Sequence, residues 1–178
     1  IPPEAMTRKG YRIWTVGDDI AWMRVDTDGA LWGINPETGM FGVAPGTNAK
    51  TNPNAMATVR RNTIFTNVLL TENKTVWWED GDGNPPAKGM DWKGDPWTPD
   101  MRDANGKPVA GAHPNARFTV PLSQCPSHTF RMEHHHGVPI SAIIFGGRRA
   151  RLAPLVYQAY SWQHGVFVGS TIASERTA

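Results

Sequence analysis

Two adjacent carboxylates stand between apolar stretches near the start of the sequence, in Gly17-Asp18-Asp19. Neighbouring acids at the end of a strand repel each other and lose hydration unless a cation compensates them. A hard divalent ion compensates them directly, because carboxylate oxygens are its preferred ligands. Asp is also a common residue in solvated turns. The pair therefore predicts either a metal ligand at a strand end or an exposed turn.

A pair of arginines follows two glycines in Gly146-Gly147-Arg148-Arg149. Glycines allow a backbone to approach a ligand closely and to adopt unusual torsion angles. The planar fork of Arg matches phosphate and carboxylate oxygens, and neighbouring arginines repel each other unless anions or acids lie nearby. The pattern predicts an anion site at a strand end, with an exposed basic turn as the alternative.

A third candidate is the segment His113-Pro114-Asn115-Ala116-Arg117. Asn115 and Arg117 lie two residues apart in a stretch that the proline makes rigid, so both side chains could converge on one carboxylate. The alternative is a turn whose arginine pairs with a surface acid.

Three other segments carry weaker signals. The Gly-rich stretch Phe41–Thr47 lacks the spacing and the Lys of a Walker loop, and it is interpreted as a tightly packed loop. His134-His135-His136 is interpreted as a mobile polar loop rather than a metal site, because consecutive residues of an extended chain point in alternating directions. Cys125 has no basic neighbour in sequence, which favours a buried and inert thiol.

The composition favours strands and loops as the elements that position these residues. Gly and Pro make up roughly a fifth of the chain, against a usual ~12%, and both residues punctuate strands and turns. We therefore expect a mainly β structure of mixed strands with a few short helices. The predicted elements are two short strands around an acidic corner in Arg12–Met23, a hairpin in Arg24–Trp32 that turns at Asp28-Gly29, a helix at Pro53–Asn62, paired strands at Thr63–Leu70 and Thr75–Trp78, and a strand at Val138–Phe145.

Residues 80–112 show no periodicity and hold many Gly, Pro and Asp residues, which is typical of a surface excursion or a docking loop. The net charge of +2 is too small to indicate a nucleic-acid surface. No stretch approaches the ~18 apolar residues of a membrane span. One cysteine allows no internal disulfide, which is consistent with a reducing compartment.

Several long strings, in order along the chain, resemble the GTP-dependent phosphoenolpyruvate carboxykinases. They are VGDDIAWM at Val16–Met23, INPETGMFGVAPGTNAKTNPNA at Ile34–Ala55, NTIFTN at Asn62–Asn67, AHPNARF at Ala112–Phe118, SQCP at Ser123–Pro126, GVPISAIIFGGRR at Gly137–Arg149 and SWQHGVFVGS at Ser161–Ser170. The resemblance lapses in residues 80–111 and 127–136. The ATP-dependent relatives do not share these strings.

The resemblance implies an enzyme with an α/β parent fold, a cytoplasmic location and a role in gluconeogenesis. In this family oxaloacetate loses carbon dioxide, and the γ-phosphoryl group of GTP passes to the resulting enolate, which gives phosphoenolpyruvate and GDP. The family uses one active-site metal, typically manganese, and a second divalent cation, magnesium or manganese, that accompanies the nucleotide. Neither a nucleic acid nor a membrane is expected as a partner.

By matching motifs, the resemblance also assigns roles. Asp19 corresponds to the aspartate that ligates manganese, with Asp18 beside it. Asn115 and Arg117 correspond to residues that bind the substrate, and Arg117 also reaches the phosphoryl group. Arg148 corresponds to the arginine that contacts the nucleotide phosphates. These roles predict that Asp19, Arg117 and Arg148 share one cleft.

The resemblance implies that residues 1–178 are an internal part of a catalytic domain, with 80–111 a variable excursion and 175–178 the start of a mobile lid. The family's phosphate-binding loop and the Lys and His that complete its manganese site would then lie before Ile1, and its guanine pocket would follow the last residue. The fragment alone is expected to be inactive, because an incomplete site cannot position the reactants. The alternative is a non-catalytic β-rich module that binds anions or a partner chain.

Overall fold

Short antiparallel strands form most of the regular structure. The computed structural model describes residues 8–147 and 157–174, which fall into two units that meet in sequence between Pro139 and Ile140. Within the described residues the strands are β1 (Trp22–Val25), β2 (Leu31–Ile34), β3 (Gly39–Val43), β4 (Ile64–Thr66), β5 (Leu69–Thr71), β6 (Val76–Trp77), β7 (Gly89–Met90), β8 (Pro96–Trp97), β9 (Arg117–Pro121) and β10 (Val138–Pro139).

The strands form three small sheets, in the orders β1-β2-β10, β3-β9-β4 and β6-β5-β7-β8, and every pairing is antiparallel. In the part of the chain that the structure describes, they are accompanied by the α-helices α1 (Pro53–Thr58) and α2 (Trp162–Thr171) and by the 3-10 helices Leu122–Gln124 and Phe130–Glu133. The expectation of a mainly β structure with a few short helices is confirmed. No helix within the described residues is long and apolar enough to span a bilayer.

One turn geometry occurs four times within residues 8–147 and 157–174. It starts at Asp26, Thr71, Asp91 and Asp103. In each case the N–H of the first residue donates to the carbonyl of the residue four positions later. The carbonyl of the first residue accepts from the N–H of the residue three positions later. The fourth residue has a positive φ, which favours Gly; it is Gly in three turns, while Lys74 adopts φ +58° in the other. The predicted hairpin at Asp28-Gly29 and the predicted pairing of β5 with β6 are confirmed. The last two copies, which start at Asp91 and Asp103, lie in the excursion at residues 80–111, where the sequence shows no periodicity.

Several predicted boundaries are wrong. The single strand predicted at Thr63–Leu70 is two strands in different sheets, because Asn67 adopts φ +60° and interrupts the extended backbone. The helix predicted at Pro53–Asn62 ends at Thr58, and Asn52 at its N-cap makes no side-chain capping bond. Of the two strands predicted around the acidic corner, only β1 forms, together with an isolated bridge between Thr15 and His128. The strand predicted at Val138–Phe145 extends only to Pro139.

The main core of the first unit lies between the β3-β9-β4 sheet and the loops that cross it. Its buried members are Ala44, Val59, Trp78, Ala112, Ala116, Phe118 and Val120. Ala44 and Ala116 bond to each other through the backbone at 2.9 Å, so the loops after β3 and before β9 are joined. A smaller cluster of Leu122, Cys125 and Met132 packs beside Val16 and Met40. The ends of β3 and β9 are therefore fixed from both sides.

Candidate active site

The two adjacent acids occupy a bend just before β1, and they differ in their partners. Asp18 Oδ2 accepts a hydrogen bond of 2.9 Å from the backbone N–H of Phe41 on β3. Asp19 is exposed, and among the described residues it has no hydrogen-bond or ion-pair partner. Gly17 lets the bend approach closely, since a Cβ there would stand 3.1 Å from the side chain of Asn35. Asp18 therefore anchors the bend and leaves the Asp19 carboxylate available.

Arg117 opens β9 opposite Val43 at the end of β3. Its guanidinium carbon lies 5.3 Å from the centroid of the Phe41 ring, which is within the range of a cation–π contact. Phe41 thus contacts both candidate groups, through its backbone N–H to Asp18 and through its ring to Arg117. The fold brings the acidic bend and the arginine to the same residue of β3.

Asn115 lies in the loop that precedes β9, and its amide oxygen accepts a bond of 3.0 Å from Nε of Arg117. The backbone N–H of Asn115 donates in turn to Nδ1 of His113, at 2.9 Å. His113 is itself fixed through its own N–H, which donates to the carbonyl of Asn67 at 2.9 Å. The side chains of Asn115 and Arg117 are thus in direct contact, while their convergence on one carboxylate stays a prediction.

The carboxylate of Glu79 holds the start of this loop. It accepts hydrogen bonds from the backbone N–H groups of Gly111, at 2.6 Å, and Ala112, at 3.3 Å. Sequence reasoning did not identify Glu79, His113 or Phe41 as supporting residues. Phe41 and His113 stand inside the quoted motifs, but their roles depend on contacts that no spacing reveals. Glu79 lies at the edge of the excursion, where the sequence carries no periodic signal.

Arg148 and Arg149 lie outside the described residues, so the predicted cleft of Asp19, Arg117 and Arg148 stays a prediction. The residues before them belong to the second unit and form no strand between Ile140 and Gly147. Ile144 there is 98% exposed. The apolar run has the length of a strand, but no described neighbour supplies backbone partners to pair with it.

The packed loop predicted at Phe41–Thr47 is only partly confirmed: Ala44–Thr47 forms such a loop, whereas Phe41–Val43 belongs to β3. Ala44 is fully buried, the carbonyl of Thr47 accepts a bond of 2.9 Å from the indole N–H of Trp78, and Gly46 takes φ +77°.

The three consecutive histidines contradict one expectation. Their ring centroids lie 4.0–5.8 Å apart, so the side chains cluster rather than alternate in direction, because the segment turns after the 3-10 helix at Phe130–Glu133. Even so, residues 8–147 and 157–174 contain no group of three or more His, Cys, Asp or Glu side chains arranged to hold a metal ion.

Cys125 is buried, as predicted, but its surroundings are polar. Burial raises the pKa of the thiol, yet hydrogen bonds from the Ser127 hydroxyl and amide and from Thr58 and Thr15 outweigh it, so the pKa is lowered overall. The Sγ lies 3.3 Å from Oγ of Ser127, which also lies 2.7 Å from Oγ1 of Thr15. Hydrogen bonding thus places the pKa of this thiol below its ordinary value, while burial limits access to the sulfur.

Comparison with known proteins agrees with the resemblance. The family model described as the phosphoenolpyruvate carboxykinase C-terminal P-loop domain matches residues 3–178. The chain belongs to the GTP-dependent phosphoenolpyruvate carboxykinase family. It is 55% identical over its whole length to "Phosphoenolpyruvate carboxykinase [GTP]" of Anaeromyxobacter sp. (strain K), of which it covers 28%. Over 169 residues, 95% of the chain, it is 55% identical to the protein of the same name from Chlamydia felis, of which it covers 27%.

The chain therefore spans just over a quarter of the length of these carboxykinases. The matched region includes the acidic bend, β3, the His113–Arg117 loop and both arginines. The sites identified by residue type and the sites implied by the resemblance are consequently the same positions.

Proposed function

We propose that this chain is part of the catalytic domain of a cytoplasmic phosphoenolpyruvate carboxykinase, which converts oxaloacetate and GTP to phosphoenolpyruvate, GDP and carbon dioxide in gluconeogenesis. The observation that carries the proposal is the joint anchoring of Asp18 and Arg117 on Phe41, in a chain that belongs to this family. Residues 80–111 are a surface excursion, and the lid start predicted at 175–178 lies outside the described residues. The remainder of the polypeptide completes the site, so the fragment alone is inactive.

Asp19 is proposed as a ligand of the active-site metal, manganese. Its carboxylate fits this role because it is exposed and makes no hydrogen bond with any described residue, so both oxygens remain free. Asp18 cannot offer both oxygens equally, since Oδ2 is bound by Phe41. When bound, the metal and the divalent cation that comes with GTP supply positive charge to the transferred phosphoryl group. One carboxylate is a partial ligand set, and other parts of the protein provide the rest.

Asn115 and Arg117 are proposed to bind the carboxylated substrate, and Arg117 and Arg148 to bind the phosphates. Decarboxylation breaks a carbon–carbon bond and leaves its electron pair on an enolate, whose oxygen then attacks the γ-phosphorus while GDP departs. The chain's own contribution is to orient oxaloacetate and to hold fixed positive charge where negative charge moves. Arg117 suits this task because Asn115 occupies its Nε and leaves both terminal NH₂ groups for anions.

Steady-state kinetics on variants of the full-length protein test these roles. Arg117→Ala should lower kcat and raise KM for oxaloacetate, with a combined loss of roughly 10²–10³ in kcat/KM, by analogy with other preorganised donors. Arg148→Ala should lower kcat more than it raises KM for oxaloacetate, because its contact strengthens as the phosphoryl group leaves. Asp19→Asn should raise the manganese concentration needed for half-maximal activity, because an amide oxygen carries no charge.

Arg102→Ala is the matched control. Its guanidinium donates to the carbonyls of Pro99 and Met101 within the excursion, so the variant should keep its activity. If Arg117→Ala and Asp19→Asn behaved like Arg102→Ala, the assignment of this region to phosphoryl transfer would be wrong. A full-length protein that binds GTP and oxaloacetate but forms no phosphoenolpyruvate would favour the alternative interpretation, a non-catalytic β-rich module that binds anions or a partner chain.

A further inference from the structure

The excursion carries two turns that share the same internal hydrogen bonds but differ at three side chains, one of which is a tryptophan. In Asp91–Asp95 and in Asp103–Lys107, the first Asp accepts two backbone N–H bonds of 2.8 and 2.9 Å through Oδ1, from the residues two and four positions on. The second position is Trp92 in one turn and Ala104 in the other. Since Ala104 supports the same turn, the indole of Trp92 is not needed to form it.

The indole of Trp92 lies against the imidazole of His113. The ring centroids are 4.6 Å apart and the planes meet at 80°, which is an edge-to-face contact. The backbone N–H of Trp92 also bonds to the carbonyl of Gly111, at 3.3 Å. Trp92 is 37% exposed, so it packs on the loop before β9 rather than in a core. This contact fixes the plane of the imidazole ring.

The orientation of that imidazole matters because Nδ1 of His113 accepts the N–H of Asn115 at 2.9 Å. The contact requires the tautomer that has no proton on Nδ1. The Asn115 side chain then accepts from Nε of Arg117 at 3.0 Å. An unbroken series of contacts consequently runs from Trp92 through His113 and Asn115 to the guanidinium of Arg117.

We propose that Trp92 is a positioning residue for substrate binding, which acts through His113 on Asn115 and Arg117. This inference rests on the proposed function, because it takes those two residues as the groups that bind oxaloacetate. The excursion then has a role in the site, because its turn at Asp91–Asp95 orients the substrate-binding loop. Without the indole, the imidazole can rotate, the Asn115 N–H loses its acceptor, and the side chains of Asn115 and Arg117 lose their fixed separation.

The test is a double-mutant cycle in the full-length protein, with kcat/KM for oxaloacetate as the readout. Trp92→Ala should lower kcat/KM roughly tenfold or more, because small displacements of positioning groups are costly. The same substitution in an Asn115→Ala background should cost less than about twofold, because coupled residues do not add. Trp92→Phe keeps an aromatic edge against the imidazole and should restore most of the activity. The KM for oxaloacetate should rise more than the KM for GTP, because Asn115 is proposed to bind the substrate alone.

His113 offers a second, independent pair of variants. His113→Asn places an oxygen where Nδ1 stood and can form the same bond to the Asn115 N–H, as Asx turns do, so it should retain more activity than His113→Phe. His113→Phe keeps a ring against Trp92 but has no acceptor. Comparing the activities of the two variants separates loss of the hydrogen bond from loss of packing: higher activity in His113→Asn shows that the hydrogen bond matters more.

The outcomes distinguish this inference from the proposed function. If Asn115→Ala and Arg117→Ala left kcat/KM unchanged, the proposed function would fail and the inference with it. If they lowered it but Trp92→Ala had no effect, or lost the same factor in both backgrounds, only the positioning role would be overturned. An equal loss with both His113 variants would likewise contradict the hydrogen-bonded path.

Discussion

At the scale of single residues, the environment of Cys125 shows how burial and hydrogen bonding compete. The thiol is only 3% exposed, which alone raises its pKa. Ser127, Thr58 and Thr15 supply donors that favour the thiolate and lower the pKa overall. The lowered pKa means that the thiolate's contribution to stability is fully present above the unfolded pKa and is lost as the pH falls through the folded pKa.

Ser127→Ala should raise the pKa of Cys125, because it removes the largest of the stabilising donors. The chain has a single cysteine, so its ultraviolet thiolate absorbance as a function of pH reports this group alone. The midpoint should lie below that of a free thiol in the parent chain and should move upward in the variant. Ser123→Ala, at an exposed neighbouring position, is the control. An unchanged midpoint in Ser127→Ala would show that the hydroxyl does not stabilise the thiolate.

At the scale of elements, the β3–β9 pair carries the arrangement on which the candidate site depends. Gly42 stands opposite Phe118 in this pair, and a Cβ at Gly42 would overlap the Phe118 ring. Gly39, at the other end of the same strand, has room, since its nearest atom is the Val120 carbonyl oxygen at 3.6 Å. The two glycines of β3 therefore differ in function: one makes space for a core ring and the other does not.

Gly42→Ala should lower the free energy of unfolding by about 1–3 kcal/mol, because Phe118 is buried and cannot move aside freely. Gly39→Ala should leave it unchanged or raise it by about 0.5–1 kcal/mol, because Ala is favoured over Gly in a strand. Thermal unfolding of the two variants measures the contrast. Similar unfolding temperatures for both would mean that the Phe118 ring readily accommodates the extra methyl group.

At the scale of the whole molecule, the chain leaves many large apolar side chains in contact with solvent. Met23 and Val25, which share one face of β1, are 59% and 69% exposed. A sheet normally covers such a face with another layer. The chain also spans only 28% of the length of its Anaeromyxobacter relative. The exposed face is consistent with our proposal that the remainder of the polypeptide completes the domain.

The same incompleteness predicts weak manganese binding by the 178-residue chain. Asp19 offers one free carboxylate, while a hard cation needs several oxygen or nitrogen ligands. Isothermal calorimetry should give weak binding that Asp19→Ala reduces further. A tight stoichiometric site that Asp19→Ala abolishes would contradict the expected shortage of ligands. Tight binding lost on replacing His134–His136 with alanines would instead identify the clustered histidines as the site.

The sequence by itself determined the features that depend on neighbouring residues. The hairpin at Asp28-Gly29 and the β5–β6 turn follow from local torsion preferences, because the positive φ at the fourth turn position is a property of the residue and its immediate neighbours. The packed loop at Ala44–Thr47 and the burial of Cys125 were likewise predictable from residue type. The family and the candidate residues Asp19, Asn115, Arg117 and Arg148 also came from strings of adjacent residues.

Only the tertiary structure decided which distant residues touch. Asn67 separates β4 from β5, which the sequence predicts as a single strand. They are separate because β4 pairs with β9 in one sheet and β5 pairs with β6 in another. The link of Asp18 to Arg117 through Phe41, and of Trp92 to Asn115 through His113, joins segments far apart in the chain. Such contacts depend on how the sheets and loops pack around one core. The local composition does not predict that packing, because the free energy that favours it comes from all the buried contacts together.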